Sequence, residues 1–422
     1  MSAASTPPAT GAPPAATRSV EEHLRHVLDC VEPLAPYEQS VLESVGLPLV
    51  DAVSSPIDLP RFTNSAMDGY AVRHEDVAGA REDRPIHLPV VGESAAGQSR
   101  PYGMPPGTSL RIMTGAPVPT GADSVVPVEW TDAGTAAVRV FRCPDTGQHV
   151  RHAGEDVRAG DDLLPAGTVL GPREVGLLAG VGLAQVRTRP RPRVVVLSTG
   201  SELREPGHRL GYDSVYDANS YLLAAAARAH GAIAYRVGVV DDDPATFSDA
   251  LSDQLVRADL VVTSGGVSKG AYDVVKDVLS QLGTVQFSEV AMQPGKPQGV
   301  GQVGEDRTPI ITLPGNPVSA YVSFEVFVVP ALRRMMDRRP YARSSVSATL
   351  QGAVRSPAGR RQYLRGRLDD DPLGRTVHVV GGAASHLLGG LAQANALVVV
   401  PEDVTAVADG TQVSVLALDQ DF

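Results

Sequence analysis

The run DLVVTSGGVSKGAYD, residues 259–273, carries a strand, a turn and a helix start in one stretch. Leu260, Val261, Val262 and Thr263 are apolar or β-branched and too few for a helix, so they read as a buried strand. Gly265 and Gly266 break it, and Tyr272, Val275, Val278 and Leu279 then recur at helical spacing. A strand, a glycine turn and a helix N-terminus form an anion site, because unpaired N–H groups point outward and the helix dipole favours negative charge. Ser264, Gly265, Gly266 and Ser268 are its candidate contacts. Asp273 is out of place in a plain phosphate cradle, and a carboxylate beside an anion implies a bridging cation. Taken alone, a glycine pair is equally an ordinary strand-to-helix turn, so the flanking sequence has to decide.

Working outward, the same alternation repeats. Strands are expected over 193–197, 234–240, 260–263 and 308–313, with helices over 218–230, 244–257 and 317–336. Strands alternating with helices of that length predict a mostly parallel sheet covered on both faces, a three-layer α/β/α domain over 192–340. Past Arg338-Arg339-Pro340 the period shortens. Strands at 345–350, 362–368, 376–380, 396–400 and 412–417 predict an all-β, barrel-like domain over 341–422. Upstream, short strands at 86–91, 109–113 and 124–128 separated by Gly and Pro turns predict a small β-rich domain over 51–145. Residues 19–50 and 146–191 form a mixed linking domain, with a helix over 20–31 capped by Ser19, a second over 38–45 and one begun by Pro172. His23 and His26 are expected at the surface. The chain is thus an α/β multidomain protein.

Composition narrows the partners. With 422 residues there is material for several domains, and 43% hydrophobic against 20% charged residues is ordinary for a globular protein. A formal net charge of -11 argues against general nucleic-acid binding, so any anionic ligand must find local cations. Cys30 and Cys143 are too few and too far apart for a disulfide framework or a thiolate zinc site. No apolar run approaches membrane-spanning length. Residues 1–18, rich in Pro, Ala and Thr, read as a disordered tail without a signal-peptide core, and the expected location is cytoplasmic.

Ligands of open α/β sheets bind beyond the carboxyl ends of the strands, so the residues following each strand assemble the site. These are STGSEL with Glu202, DDDP with Asp241, Asp242 and Asp243, the glycine loop with Asp273, and PGNPVS with Pro314, Gly315, Asn316 and Pro317. Each acidic residue alone could be a helix cap. Together they repel unless a cation joins them, and oxygen-only ligands without a His or Cys cluster favour Mg²⁺ over zinc. Lys296, bracketed by Pro294, Gly295 and Pro297, should project from a stiff turn onto an oxyanion, and Arg365 beside Gly366 could reach the same cleft.

The motifs SAMDGYAVR, RIMTGA, STGSEL, YDANS, DDDP, SGGVSKGAYD, QPGKPQG, LPGNPVSA and ASHLL closely resemble the molybdopterin molybdenumtransferase family, the bacterial MoeA type related to the gephyrin E-domain. The resemblance runs from about Ser19 to Phe422. It implies Mg²⁺-dependent insertion of molybdate into the dithiolene of adenylylated molybdopterin with loss of AMP. It also implies a homodimer with active sites shared between subunits, and makes the upstream adenylyltransferase a candidate partner. Carried over residue by residue, the family's functional positions fall on Asp68, Thr114, Glu202, Asp242, Asp273, Lys296, Pro314, Pro317, Arg365 and Ser385. The chain departs from the pattern at Gln293, where many members have lysine, at Ser201, where aspartate is common, and at Ala384, where glycine is common. Lys269 is a candidate for restoring the charge absent at Gln293. A pterin adenylyltransferase sharing the α/β domain and a non-catalytic scaffold are the competing readings.

Overall fold

The computed structural model describes residues 17–97, 103–266, 274–281, 284–372, 374–420 and 422. They divide into two compact units. The larger holds the described residues up to Tyr37, together with Gly46–Pro48 and Thr188–Phe422.

Its centre is a six-stranded sheet in the order Ile233–Arg236, Arg193–Ser198, Leu260–Ser264, Thr308–Leu313, Pro297–Val303, Gln286–Glu289. The first four strands are parallel, with Val194 opposite both Ala234 and Leu260, and Val261 opposite Ile310. Val194, Val195, Val196 and Leu197 are all fully buried, as a strand covered on both faces requires. Each such side chain contributes roughly 1.5–3 kcal/mol of burial free energy. Alternate residues feed two cores: Val194 and Val196 pack with the helices Asn219–Ala229 and Val329–Met335, while Val195 and Leu197 pack with Pro244–Leu255 and Val274–Gln281.

The last two strands are antiparallel, and the sequence pattern does not announce them. One of them, PQGVGQV, hides the strand signal because the sheet is too crowded there for side chains. A Cβ on Gly299 would lie 2.2 Å from Thr312 Oγ1, and one on Gly301 would lie 2.4 Å from the Thr284 carbonyl oxygen. The long helix expected over 317–336 runs as Pro317–Ser323, a π-helical stretch Phe324–Val328, and Val329–Met335. Pro330, without an N–H and crowding the carbonyl four residues back, comes just after the widened turn.

Val20–Asp29 is helical with a capping box at Ser19: Ser19 Oγ accepts the Glu22 N–H at 3.1 Å, and Glu22 Oε2 accepts the Ser19 N–H at 2.8 Å. Val20, Val27 and Val31 join the core of the larger unit. The surface expectation for His23 is corrected. His23 is fully buried, edge-on to Phe327 at 4.7 Å, and burial pulls its pKa down to about 3, which keeps the ring neutral.

A closed barrel completes this unit. Arg361–Asp371, Gly374–Val379, Val346–Gln351, Gln412–Ala417 and Ala396–Val400 follow one another, and the last pairs back onto the first. Met292–Gln293 adds a short parallel ladder to Arg361–Asp371, so the segment leading to Lys296 is stitched onto the barrel.

The smaller unit, Glu38–Val45 and Leu49–Arg187, is built on a five-stranded sheet ordered Ser124–Pro127, Gly69–Val72, Ser109–Ile112, Ile86–Ser94, Ala137–Val140. The helix expected over 38–45 is absent. Tyr37–Ser40 is a strand, and Ser40 Oγ then accepts the Leu42 N–H at 3.3 Å, the local side-chain bond by which serine competes with helix. Among the described residues, no helix is long and apolar enough to cross a membrane.

Candidate active site

The loops at the carboxyl edge of the parallel strands interlock through their backbones. Gly265 donates its N–H to the Leu313 carbonyl at 3.2 Å, and Gly200 donates to the Val240 carbonyl at 3.3 Å. Gly265 and Gly266 have φ of 100° and 66°, so the turn needs glycine; a Cβ on Gly265 would also approach the Thr199 carbonyl oxygen to 2.9 Å. Ser264 is buried. Asn219 Nδ2 donates to its Oγ at 2.7 Å and to the Gly315 carbonyl at 2.6 Å, so one amide pins the glycine turn to the PGNP turn. Asn316 precedes the helix that Pro317 opens, and its side chain makes no capping hydrogen bond there. Three of the four strand-end segments therefore converge with part of the fourth. Ser268, Lys269 and Asp273 lie outside the described residues.

Glu202 and Asp242 are both exposed on this edge. Asp242 Oδ2 accepts the Ser201 N–H at 3.0 Å, which holds the STGSEL and DDDP loops side by side. Asp243 has the duller role that an acidic residue at a helix start invites. It caps Pro244–Leu255 by accepting the Thr246 N–H and Oγ1–H, both at 2.8 Å, and the Thr246 N–H holds its carboxyl below the usual range. Among the described residues, no group of three or more His, Cys, Asp or Glu side chains is placed to hold a metal ion. Two exposed carboxylates on adjoining loops nevertheless suit Mg²⁺, which takes one or two carboxylates and completes its shell with water and substrate phosphate oxygens.

A second region lies beside the barrel. A cleft of about 440 Å³ is lined by Gln293, Lys296, Ser319, Arg360, Ser385 and His386 among others. The Lys296 turn is stiff for identifiable reasons. The Val290 N–H donates to the Lys296 carbonyl at 2.7 Å, and Gln298 Nε2 donates to the Gly295 carbonyl at 2.6 Å. Lys296 Nζ pairs with Glu289 at 2.8 Å and stays partly exposed. Arg360 has no hydrogen-bond or ion-pair partner among the described residues.

Arg365 does not project into the cleft as an open cation. It is 2% exposed, and its guanidinium donates to the Leu387 carbonyl at 2.8 Å and to the carbonyls of Gly382 and Gly381. Burial presses its pKa downward. Its work is to clamp the loop that carries Ser385 and His386. The Ser385 carbonyl in turn accepts the Val318 N–H at 3.1 Å, so Pro317–Ser323 begins against that loop. Sequence reading passes over Arg360, whose only signal is its place after the Gly359 turn, and over Asn219, visible only within YDANS.

In the smaller unit, Asp68 and Thr114 come together because Gly69 and Ile112 are register partners, with Asp68 in the bend just before Gly69 and Thr114 in the turn two residues past Ile112. Asp68 Oδ1 accepts the Thr114 N–H at 2.6 Å and its Oγ1–H at 2.8 Å. These bonds, the N–H above all, hold the Asp68 carboxyl below the usual carboxylate range.

Comparison with known proteins decides the family. Residues 18–182 match the MoeA N-terminal region (domain I and II), 195–334 a probable molybdopterin binding domain, and 347–418 the MoeA C-terminal region (domain IV). Molybdopterin molybdenumtransferase 2 of Mycobacterium tuberculosis is 48% identical over 404 residues, spanning 94% of this chain and 99% of the relative. The chain belongs to the molybdopterin molybdenumtransferase family. Molybdopterin molybdenumtransferase 1 of the same organism is 42% identical over 423 residues, 96% of this chain and 99% of the relative. The structure of the molybdopterin biosynthesis MoeA protein from Pyrococcus horikosii superposes with a TM-score of 0.80 at 30% identity, covering 96% of this chain and all of that one. The match to this family extends over both the acidic strand-end edge and the cationic cleft.

Proposed function

We propose that the chain inserts molybdate into the dithiolene of adenylylated molybdopterin and releases AMP in a Mg²⁺-dependent reaction. Membership of the family carries the coarser statement, a transferase of molybdenum cofactor biosynthesis acting on molybdopterin. The observation that carries the finer one is the pairing of two unlike regions through residues 314–319. Gly315 is held at the acidic edge by Asn219, while Ser319 lines the cationic cleft. Both substrates are anions and will not meet without charge to screen them. In this reading Glu202 and Asp242, with Asp273, would hold Mg²⁺, which supplies Lewis-acid polarisation of the adenylate phosphates. Ser264, Gly265, Gly266 and Gly315 seat the pterin phosphate by backbone contact. Lys296, Arg360 and Ser385 hold molybdate by charge and hydrogen bonding, with Arg365 fixing the loop.

Supplying the purified protein with adenylylated molybdopterin, Mg²⁺ and molybdate tests this. AMP release coupled to active cofactor is the expected result, and AMP release that ignores molybdate would contradict it. The proposal includes a homodimer in which Asp68 and Thr114 complete the partner subunit's site. Asp68→Ala and Asp273→Ala homodimers are then inactive, whereas random mixing places both lesions in one site of half the dimers and restores about a quarter of wild-type activity. No recovery in confirmed mixed dimers would remove the shared site.

A further inference from the structure

Among the described residues, one imidazole stands with the two cations that line the cationic cleft. Lys296, Arg360 and His386 are the ionisable side chains lining it; Glu289 faces Lys296 from the neighbouring strand, and Arg365 lies behind the loop, turned onto its carbonyls. His386 is exposed and has no side-chain hydrogen bond or ion pair among the described residues. Its backbone is nevertheless fixed. The Ser385 carbonyl is bonded to the Val318 N–H, the Leu387 carbonyl to Arg365, and the His386 carbonyl accepts the Leu388 N–H at 2.9 Å. A free imidazole on a clamped backbone can turn its ring toward an anion without the cost of ordering the loop.

The proposed insertion reaction moves protons, which gives such a group a task. In its balanced form, molybdate and a dithiol give a trioxo-molybdenum dithiolene and one water. Two S–H bonds and one Mo–O bond break, two Mo–S bonds form, both thiol protons leave on the departing oxygen, and molybdenum keeps its oxidation state. Lysine and arginine stabilise the oxyanion but are poor at taking up and returning a proton near neutrality, whereas imidazole does both.

We propose that His386 is the proton carrier of molybdate insertion, moving the thiol protons onto the oxygen that leaves as water. The proposal rests on the function given above. Ser385 and the two cations hold the oxyanion, and His386 serves the bond that breaks.

The test separates binding from turnover. His386→Gln and His386→Ala should bind molybdate, measured calorimetrically without pterin, within about twofold of wild type. Single-turnover insertion at pH 7 should fall on the order of 10²-fold, the usual share of a general acid–base group. His386→Ala should regain rate on addition of free imidazole, which a purely structural role cannot produce. The pH profile of insertion should change shape in both variants relative to wild type, which a purely structural role would not do. Wild-type insertion rates in both variants would overturn the proposal, as would loss of molybdate binding equal to the loss of rate. Circular dichroism confirms folding. Wild-type protein that binds molybdate yet transfers none to the pterin would instead overturn the proposed function, a result distinct from either.

Discussion

The strand-end edge and the cleft beside the barrel meet at one turn yet carry opposite charge. At the edge, Glu202 and Asp242 are open carboxylates on loops fixed by backbone hydrogen bonds. In the cleft, Lys296 and Arg360 are cations on a stiff turn and just before a barrel strand, with Ser385 on a loop bonded to the start of Pro317–Ser323. Carboxylates repel an oxyanion and attract a metal ion; ammonium and guanidinium groups do the reverse. The difference teaches that, under the proposed function, the metal-binding and oxyanion-binding tasks fall to different regions, which residues 314–319 connect among the described residues.

The largest effect is expected from Lys296→Ala. At limiting molybdate, insertion should drop about 10²-fold or more, because a charged donor to the oxyanion is lost. Thermal stability should hardly move, since the exposed Lys296–Glu289 pair is worth about 0–1 kcal/mol. Turnover assays across a molybdate series, with a melting curve as control, decide this; near-wild-type insertion would erase the division of labour.

Arg365→Met sharpens the comparison from behind the cleft. Three loop carbonyls lose their donor, so stability should fall by about 1–3 kcal/mol, read from denaturant unfolding. The apparent molybdate requirement should rise several-fold while the Mg²⁺ requirement stays put. A shift in the Mg²⁺ requirement instead would mean that the two regions are not separable.

Much of this was legible in the chain itself. Branched runs such as Val194 to Leu197 and the glycine turn at Gly265 announce a parallel sheet and its binding edge, because burial on both faces and positive φ each demand particular residue types. What stayed hidden depended on packing between segments far apart in sequence. Gly299 and Gly301 conceal a strand because neighbouring strands fill the space of a side chain. Arg365 reads as a surface cation until the loop of Gly381, Gly382 and Leu387 is folded over it. His23 reads as exposed until Phe327 is packed against it.

The smallest expected effect belongs to Gln293→Lys. Gln293 lines the cleft with Lys296 and Arg360, so a third cation should tighten molybdate several-fold, less than the loss from removing Lys296. Equilibrium titration checks it, and unchanged affinity would mean that the two cations present already saturate the anion.

The most direct measurement is equilibrium binding of molybdate without pterin or Mg²⁺, compared between Asp242→Asn and the double variant Lys296→Ala/Arg360→Ala. Asp242→Asn keeps an oxygen acceptor for the Ser201 N–H and should bind molybdate as wild type does. The double variant should lose at least about tenfold in affinity, as expected when charged hydrogen bonds worth about 1.5–3 kcal/mol are removed. Molybdate binding lost in Asp242→Asn and kept in the double variant would contradict the account.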